Sequence, residues 1–229
     1  MLGLEETSDH RAGGTASGTG APLDLGDARL IGHGWKRDCY QHPLDPGLCI
    51  KVPSLAPKGT RRLRERLIEW RAGSSIGAQH NDREWKAYGR FGEVLRPFIP
   101  AYHGFVATSR GRGLVVELVR DADGRPSRHL KDWLRAASPE AAAPLLERLD
   151  ALFELLLRHE AWLMDLNLTN FTAQIADDGT AWPRLVDIKR LADKKELFQV
   201  SGWSRALMRR KLARRIARFH AKVRMTQAG

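Results

Sequence analysis

The chain has 229 residues, 42% of them hydrophobic, which is enough for a sizeable core and excludes a disordered or fibrous class. No apolar run is long enough to span a bilayer, because the longest Leu-rich stretch is broken by Glu154 and Arg158. The net charge of +11 admits nucleic acid, anionic lipid or a polyanionic substrate as partner. Met1–Leu23 is rich in Gly, Ser and Thr, carries Glu5, Glu6 and Asp9, and lacks an apolar run. It reads as a disordered leader rather than a signal peptide. Ala28–Val52 alternates apolar and polar residues around turn residues His42–Gly47, which predicts strand, turn, strand. The two cysteines, Cys39 and Cys49, fall in these strands. Without a secretory signal, free thiols in a reducing cytoplasm are expected.

Thr60–Ala72 follows as a basic helix, interrupted by Gly73–Gly77. The segment NDREWKAYGRF predicts a second helix with Asn81 as N-cap and Trp85, Tyr88 and Phe91 on one side. Ile99–Thr108 and Gly113–Leu118 read as strands, and RDADGRP marks a domain boundary. Arg128–Ala137 predicts a short helix. Ser138 and Pro139 then start a longer one that runs to about His159 with a wide leucine face. AWLMDLNLTNF is loop-like, and the residues after it form a hairpin turning at Asp177–Gly179. A last helix covers about Ser204–Met225, with Met208, Leu212, Ile216, Phe219 and Val223 at helical spacing. Its cations, Arg205, Arg209, Arg210, Lys211, Arg214, Arg215 and Arg218, read as distributed around much of the helix. The order predicts a two-lobed α+β arrangement: residues 24–119 a strand-rich lobe, residues 120–229 a short helical one.

Four features carry chemistry in combination. Gly32 and Gly34, one residue apart after a strand, allow backbone N–H groups to approach phosphate oxygens. Lys51, between Ile50 and Val52 in a strand, points away from the face those two occupy and offers a point charge to phosphates. Such a lysine needs an acidic partner; Glu84 is the best placed, with Glu65 and Glu69 as competitors. Asp165 and Asn170 have D-x-x-x-x-N spacing, and Asp187 ends an apolar strand after the hairpin. A carboxylate facing an attacking hydroxyl, and an amide oxygen with a second carboxylate holding magnesium, are what phosphoryl transfer requires.

These residues resemble the protein-kinase-like superfamily. Within it, GHGWKRDCYQHPLDPGLCIKV is most similar to the small bacterial family of PhoP regulatory network proteins of YrbL type, through Gly32, Gly34, Arg37, Cys39, Tyr40, His42, Pro43, Cys49, Ile50 and Lys51. REWKAYGRF and IPAYHG extend the likeness over residues 28–190. The resemblance implies that Lys51 contacts the phosphates of ATP, Glu84 pairs with it, and Asp165 is the catalytic carboxylate. It also implies that Asn170 and Asp187 ligate Mg²⁺, and that Glu117 and Val119 lie where the backbone meets adenine.

The chain departs from the superfamily pattern in several places. Arg37 stands at the third glycine of the loop, Leu163 and Met164 precede Asp165 in place of His-Arg, and Asn167 replaces a lysine. Lys189 or Arg190 offers a substitute charge. Ile188 and Lys189 follow Asp187 in place of Phe-Gly. The short segment after Asp187 leaves no room for a large substrate-binding subdomain, which favours a small-molecule, lipid or saccharide acceptor over a protein. A nucleotide-binding pseudokinase is one alternative. A basic nucleic-acid or membrane-surface binder, acting through the last helix, is another.

Overall fold

A computed structural model describes residues 21–34, 36–54, 75–192 and 205–228. Within them the fold is mixed α+β, with a sheet-rich first part and four helices. Strands β1 (Leu30–His33), β2 (Arg37–Gln41), β3 (Leu48–Pro53), β4 (Tyr102–Thr108) and β5 (Gly111–Glu117) form one sheet in the order β1-β2-β3-β5-β4. Every neighbouring pair in it is antiparallel. What reads in sequence as one long first strand is two, because the chain reverses at Gly34, whose N–H donates to Arg37 O at 2.8 Å. The expected leader lies mostly outside the described residues. Its last residue, Leu23, belongs to the fold: it bridges Thr108 in parallel.

Alternation in β3 sorts its side chains onto two faces. Ile50 and Val52 are fully buried in a small outer cluster with Leu25, Tyr40 and Val115. Lys51 stands on the other face, paired in register with Cys39. That face is crossed by α1 (Ile76–Leu95), which begins six residues earlier than the sequence predicts. Ser75 caps it, its hydroxyl accepting from Ala78 N at 3.2 Å. Gly77, which reads as a helix breaker, is instead inside the helix at a close crossing. A Cβ there would sit 2.5 Å from Lys36 O and 2.9 Å from Pro53 Cα. The basic helix expected over Thr60–Ala72, with Glu65 and Glu69, lies outside the described residues.

After β5 come β6 (Arg128–His129), α2 (Leu130–Ala136) and α3 (Pro139–Arg158). Ser138 caps α3 by accepting from Ala141 N at 3.2 Å, with Pro139 in the first turn where no N–H is needed. The loop-like segment contains β7 (Trp162–Leu163) and a 3₁₀ turn at Leu168–Asn170. The hairpin β8 (Phe171–Ile175) and β9 (Ala181–Leu185) forms as expected, with β6 against β8. Short β10 (Leu191–Ala192) returns to pair with β7. Helix α4 (Arg205–Ala228) buries Met208, Leu212, Phe219 and Val223. One apolar cluster runs from Cys49 and Leu114 in the sheet through α1, α3 and the hairpin to α4. It is continuous across residues 119–120, where the sequence places a boundary. Cys39 and Cys49 are free.

Candidate functional site

A cleft of about 860 Å³ opens between the lysine face of the sheet and the segments that follow β7 and β9. Gly32, Gly34, Arg37 and Lys51 line one side, and Asp165, Asn170 and Asp187 line the other. Gly34 holds its turn because a Cβ would meet Arg37 O at 2.6 Å, whereas a Cβ on Gly32 would meet nothing within 4 Å. Gly32 is therefore small toward open space rather than for packing.

The lysine is anchored from below. Its Nζ is ion-paired to Glu84 and donates to Val186 O at 2.7 Å. Glu84 reaches it from α1 and is fully buried. It accepts also from Arg37 and from the Tyr102 hydroxyl, the latter at 2.6 Å. Burial alone pushes its carboxyl up, but Arg37 and Lys51 outweigh that and hold it below the usual range. The Tyr102 hydroxyl is pushed well up, by burial and then by the Glu84 charge. Asn81, expected to cap a helix, is buried in this network: it donates to Lys51 O at 2.8 Å and accepts from Arg37 at 2.9 Å.

The opposite wall is assembled by backbone pairing. Met164 N donates to Arg190 O at 3.0 Å beside the β7–β10 ladder, and Val186 N donates to Asn170 O at 2.9 Å. These bonds bring Asp165, Asn170 and Asp187 to one end of the hairpin. Asn170 Nδ2 donates to Asp165 O at 2.9 Å, which leaves its Oδ1 as an acceptor. Asp187 is ion-paired to Lys189 and lies 3.5 Å from the Arg37 guanidinium. Burial would raise its carboxyl, but Arg37, Lys189 and Lys51 bring it down to about 2. His80, on the first turns of α1, is lowered to about 4, by burial and then by Arg37 and Lys189.

Lys51, Asp165, Asn170, Asp187, Gly32 and Gly34 thus share one cleft, with Glu84 directly behind Lys51. Glu117 and Val119 do not line it. Glu117 instead accepts from Ala101 N at 2.8 Å, and Val119 O is taken by Ser127 N at 3.0 Å. Sequence reasoning missed the roles of Arg37, Asn81, Tyr102 and His80. Arg37 carried a signal, as the charged residue where a glycine is usual; the other three carried none.

Mixed α+β folding thus brings cations and hard oxygen donors together in one cleft. The family described as PhoP regulatory network protein YrbL matches residues 23–224, and the chain belongs to it. It is similar to uncharacterized protein YrbL of Escherichia coli (strain K12), 28% identical over 202 residues that cover 87% of each chain. The protein of the same name from Shigella flexneri gives the same figures.

Proposed function

We propose that the chain is a protein-kinase-like phosphotransferase that binds ATP with Mg²⁺ in this cleft and passes the terminal phosphoryl group to a hydroxyl acceptor. In this reading the sheet with α1 is one lobe and the segments from residue 120 the other. The observation that carries it is the buried pairing of Lys51 with Glu84 directly across from Asp187, Asn170 and Asp165. A lysine held by an acid and by Val186 O keeps its charge at a fixed point, and a fixed charge stabilises transferred phosphate without reorganising. Asp165 accepts the proton of the acceptor hydroxyl while the new oxygen–phosphorus bond forms and the bond to the leaving diphosphate breaks. Positioning supplies most of the remaining rate.

Asn170 Oδ1 and the Asp187 carboxylate are hard oxygen donors, and such a pair suits Mg²⁺, which keeps several waters and takes its other ligands from phosphate. The ion supplies charge neutralisation at the phosphates when bound. Asp165→Ala is expected to spare Mg-ATP binding in calorimetry and to lower turnover by about 10²–10⁴-fold. Asp187→Ala is expected to remove Mg-ATP binding. Unchanged turnover in both variants defeats the assignment. A nucleotide-binding regulator without transfer is the second reading. It draws on Asp187 being clamped by Lys189 and Arg37, and on Asn167 standing where a catalytic lysine is usual. Mg-ATP binding with no transfer to any acceptor or to water favours it.

A further inference from the structure

Helix α4 contains no acidic residue. Its apolar side is consumed by the core through Met208, Leu212, Phe219 and Val223. The cations cover most of what remains. At about 100° per residue, Lys211, Arg214, Arg218 and Lys222 fall on one flank, Arg210 lies at the outward midline, and Arg209, Arg224 and several alanines share the other flank. Arg210, Arg214, Arg218 and Lys222 are exposed. The edge of this flank is tied down by Arg215, which donates to Met164 O immediately before Asp165.

Two exposed apolar side chains complete the pattern. Leu207 is 42% exposed and Met225 is 75% exposed, both large fractions for their types. They are separated by about five whole turns, so they project in the same direction roughly 27 Å apart. Arg214 and Arg218 lie within about 20° of the line joining them. The outward face therefore reads apolar, basic, basic, apolar along one row.

We infer that this row docks the protein on the surface of an anionic lipid bilayer. Cations attract the charged headgroup layer, and one apolar side chain at each end enters the headgroup–acyl boundary. A nucleic-acid backbone would also satisfy the cations, but it gives Leu207 and Met225 nothing to bury. The row also offers no aromatic, Asn, Gln, Ser or Thr side chain to stack on or read a base. The inference is independent of phosphoryl transfer, since it concerns binding alone.

The test is sedimentation of the full chain with vesicles of phosphatidylcholine alone and of phosphatidylcholine with phosphatidylglycerol. The expected result is binding to the anionic vesicles only, weakening as salt rises. Arg214→Gln with Arg218→Gln is expected to lower partitioning about 30-fold. Leu207→Ser with Met225→Ser is expected to lower it roughly five-fold or more without changing the salt dependence. Circular dichroism of each variant establishes that it is folded, and all four positions are exposed. Equal binding to neutral vesicles, no binding to either, or loss with the arginine pair but not with the apolar pair overturns the inference. Duplex DNA displacing the protein from the vesicles through Arg214 and Arg218 also overturns it, in favour of a nucleic-acid surface.

Discussion

Replacing Glu84 by glutamine tests the cleft's foundation without touching its lining. The carboxylate is fully buried, and its partners Lys51 and Arg37 have side chains only 11% and 10% exposed. Each partner gains little from solvent, so the pairing cannot be valued as a surface salt bridge. Removing one charge from such a group leaves the others uncompensated, which costs about 3–5 kcal/mol. For a chain of this size that lowers the melting temperature by roughly 6–20 °C. The Tyr102 hydroxyl, which donates at 2.6 Å, contributes separately, so Tyr102→Phe should cost about 1.5–3 kcal/mol. Urea unfolding followed by tryptophan fluorescence gives both values. Arg37→Met in the Glu84→Gln background should recover part of the loss, with a coupling energy of at least about 1 kcal/mol. A Glu84→Gln cost below about 1 kcal/mol, or no coupling to Arg37, would refute the account of a desolvated charge network.

Acid should destabilise the protein in two stages. The His80 imidazole is neutral in the fold down to about 4, whereas the unfolded chain takes up its proton near 6.5, so stability falls as pH drops from 6.5 to 4. His80→Gln should flatten that limb in urea midpoints measured across the range. Asp187 at about 2 and the lowered Glu84 carboxyl act in the next window. The Asp187 stabilisation is present above about 4 and is lost as pH falls toward 2, and the lowered Glu84 carboxyl acts in the same direction. Lys189→Ala should free one Asp187 oxygen, lowering the Mg²⁺ concentration needed for half-maximal nucleotide binding in a calorimetric titration; an unchanged or higher requirement counts against the clamp. Gly34→Ala should cost about 1–3 kcal/mol, because a Cβ meets backbone at 2.6 Å, while Gly32→Ala should leave stability unchanged in the same unfolding assay.

Periodicity in this sequence identifies β3, α3, the β8–β9 hairpin and α4, because each has an alternation or a cap that local physics imposes. Residue type and order also bring Lys51, Glu84, Asp165, Asn170 and Asp187 under suspicion, and these meet around one cleft. What the sequence conceals has tertiary causes. The start of α1 is hidden by Gly77, whose small size answers a crossing with Lys36 and Pro53 rather than a local break. Asn81 has the chemistry of a cap, yet it serves as a buried link between Lys51 O and Arg37. The row of Leu207, Arg214, Arg218 and Met225 along α4 becomes visible only once the core fixes which face is buried. The positions proposed for adenine, Glu117 and Val119, depend on where β5 ends, and here their polar groups turn to Ala101, Arg184 and Ser127.

Arg37 changes how the cleft should be understood. Standing where a glycine is usual, it first looks like damage to a phosphate loop. Its guanidinium instead joins Glu84 to Asp187, and those carboxylates outweigh burial to hold it firmly protonated. Lys36, Arg37, Lys51, Lys189 and Arg190 outnumber Asp38, Asp165 and Asp187 along the lining. On the proposed reading, a cleft of that sign favours phosphates over a free divalent cation. Two of its cations also occupy the Asp187 carboxylate that the proposed Mg²⁺ would use. Phosphates entering such a cleft would give Lys189 and Arg37 an alternative partner and so release Asp187. Mg²⁺ should therefore bind the free protein weakly and the nucleotide-bound protein tightly, a difference that titration of the ion with and without a non-hydrolysable ATP analogue reads directly. Equal affinities in the two states would mean that Arg37 and Lys189 are structural ties with no part in ligand entry.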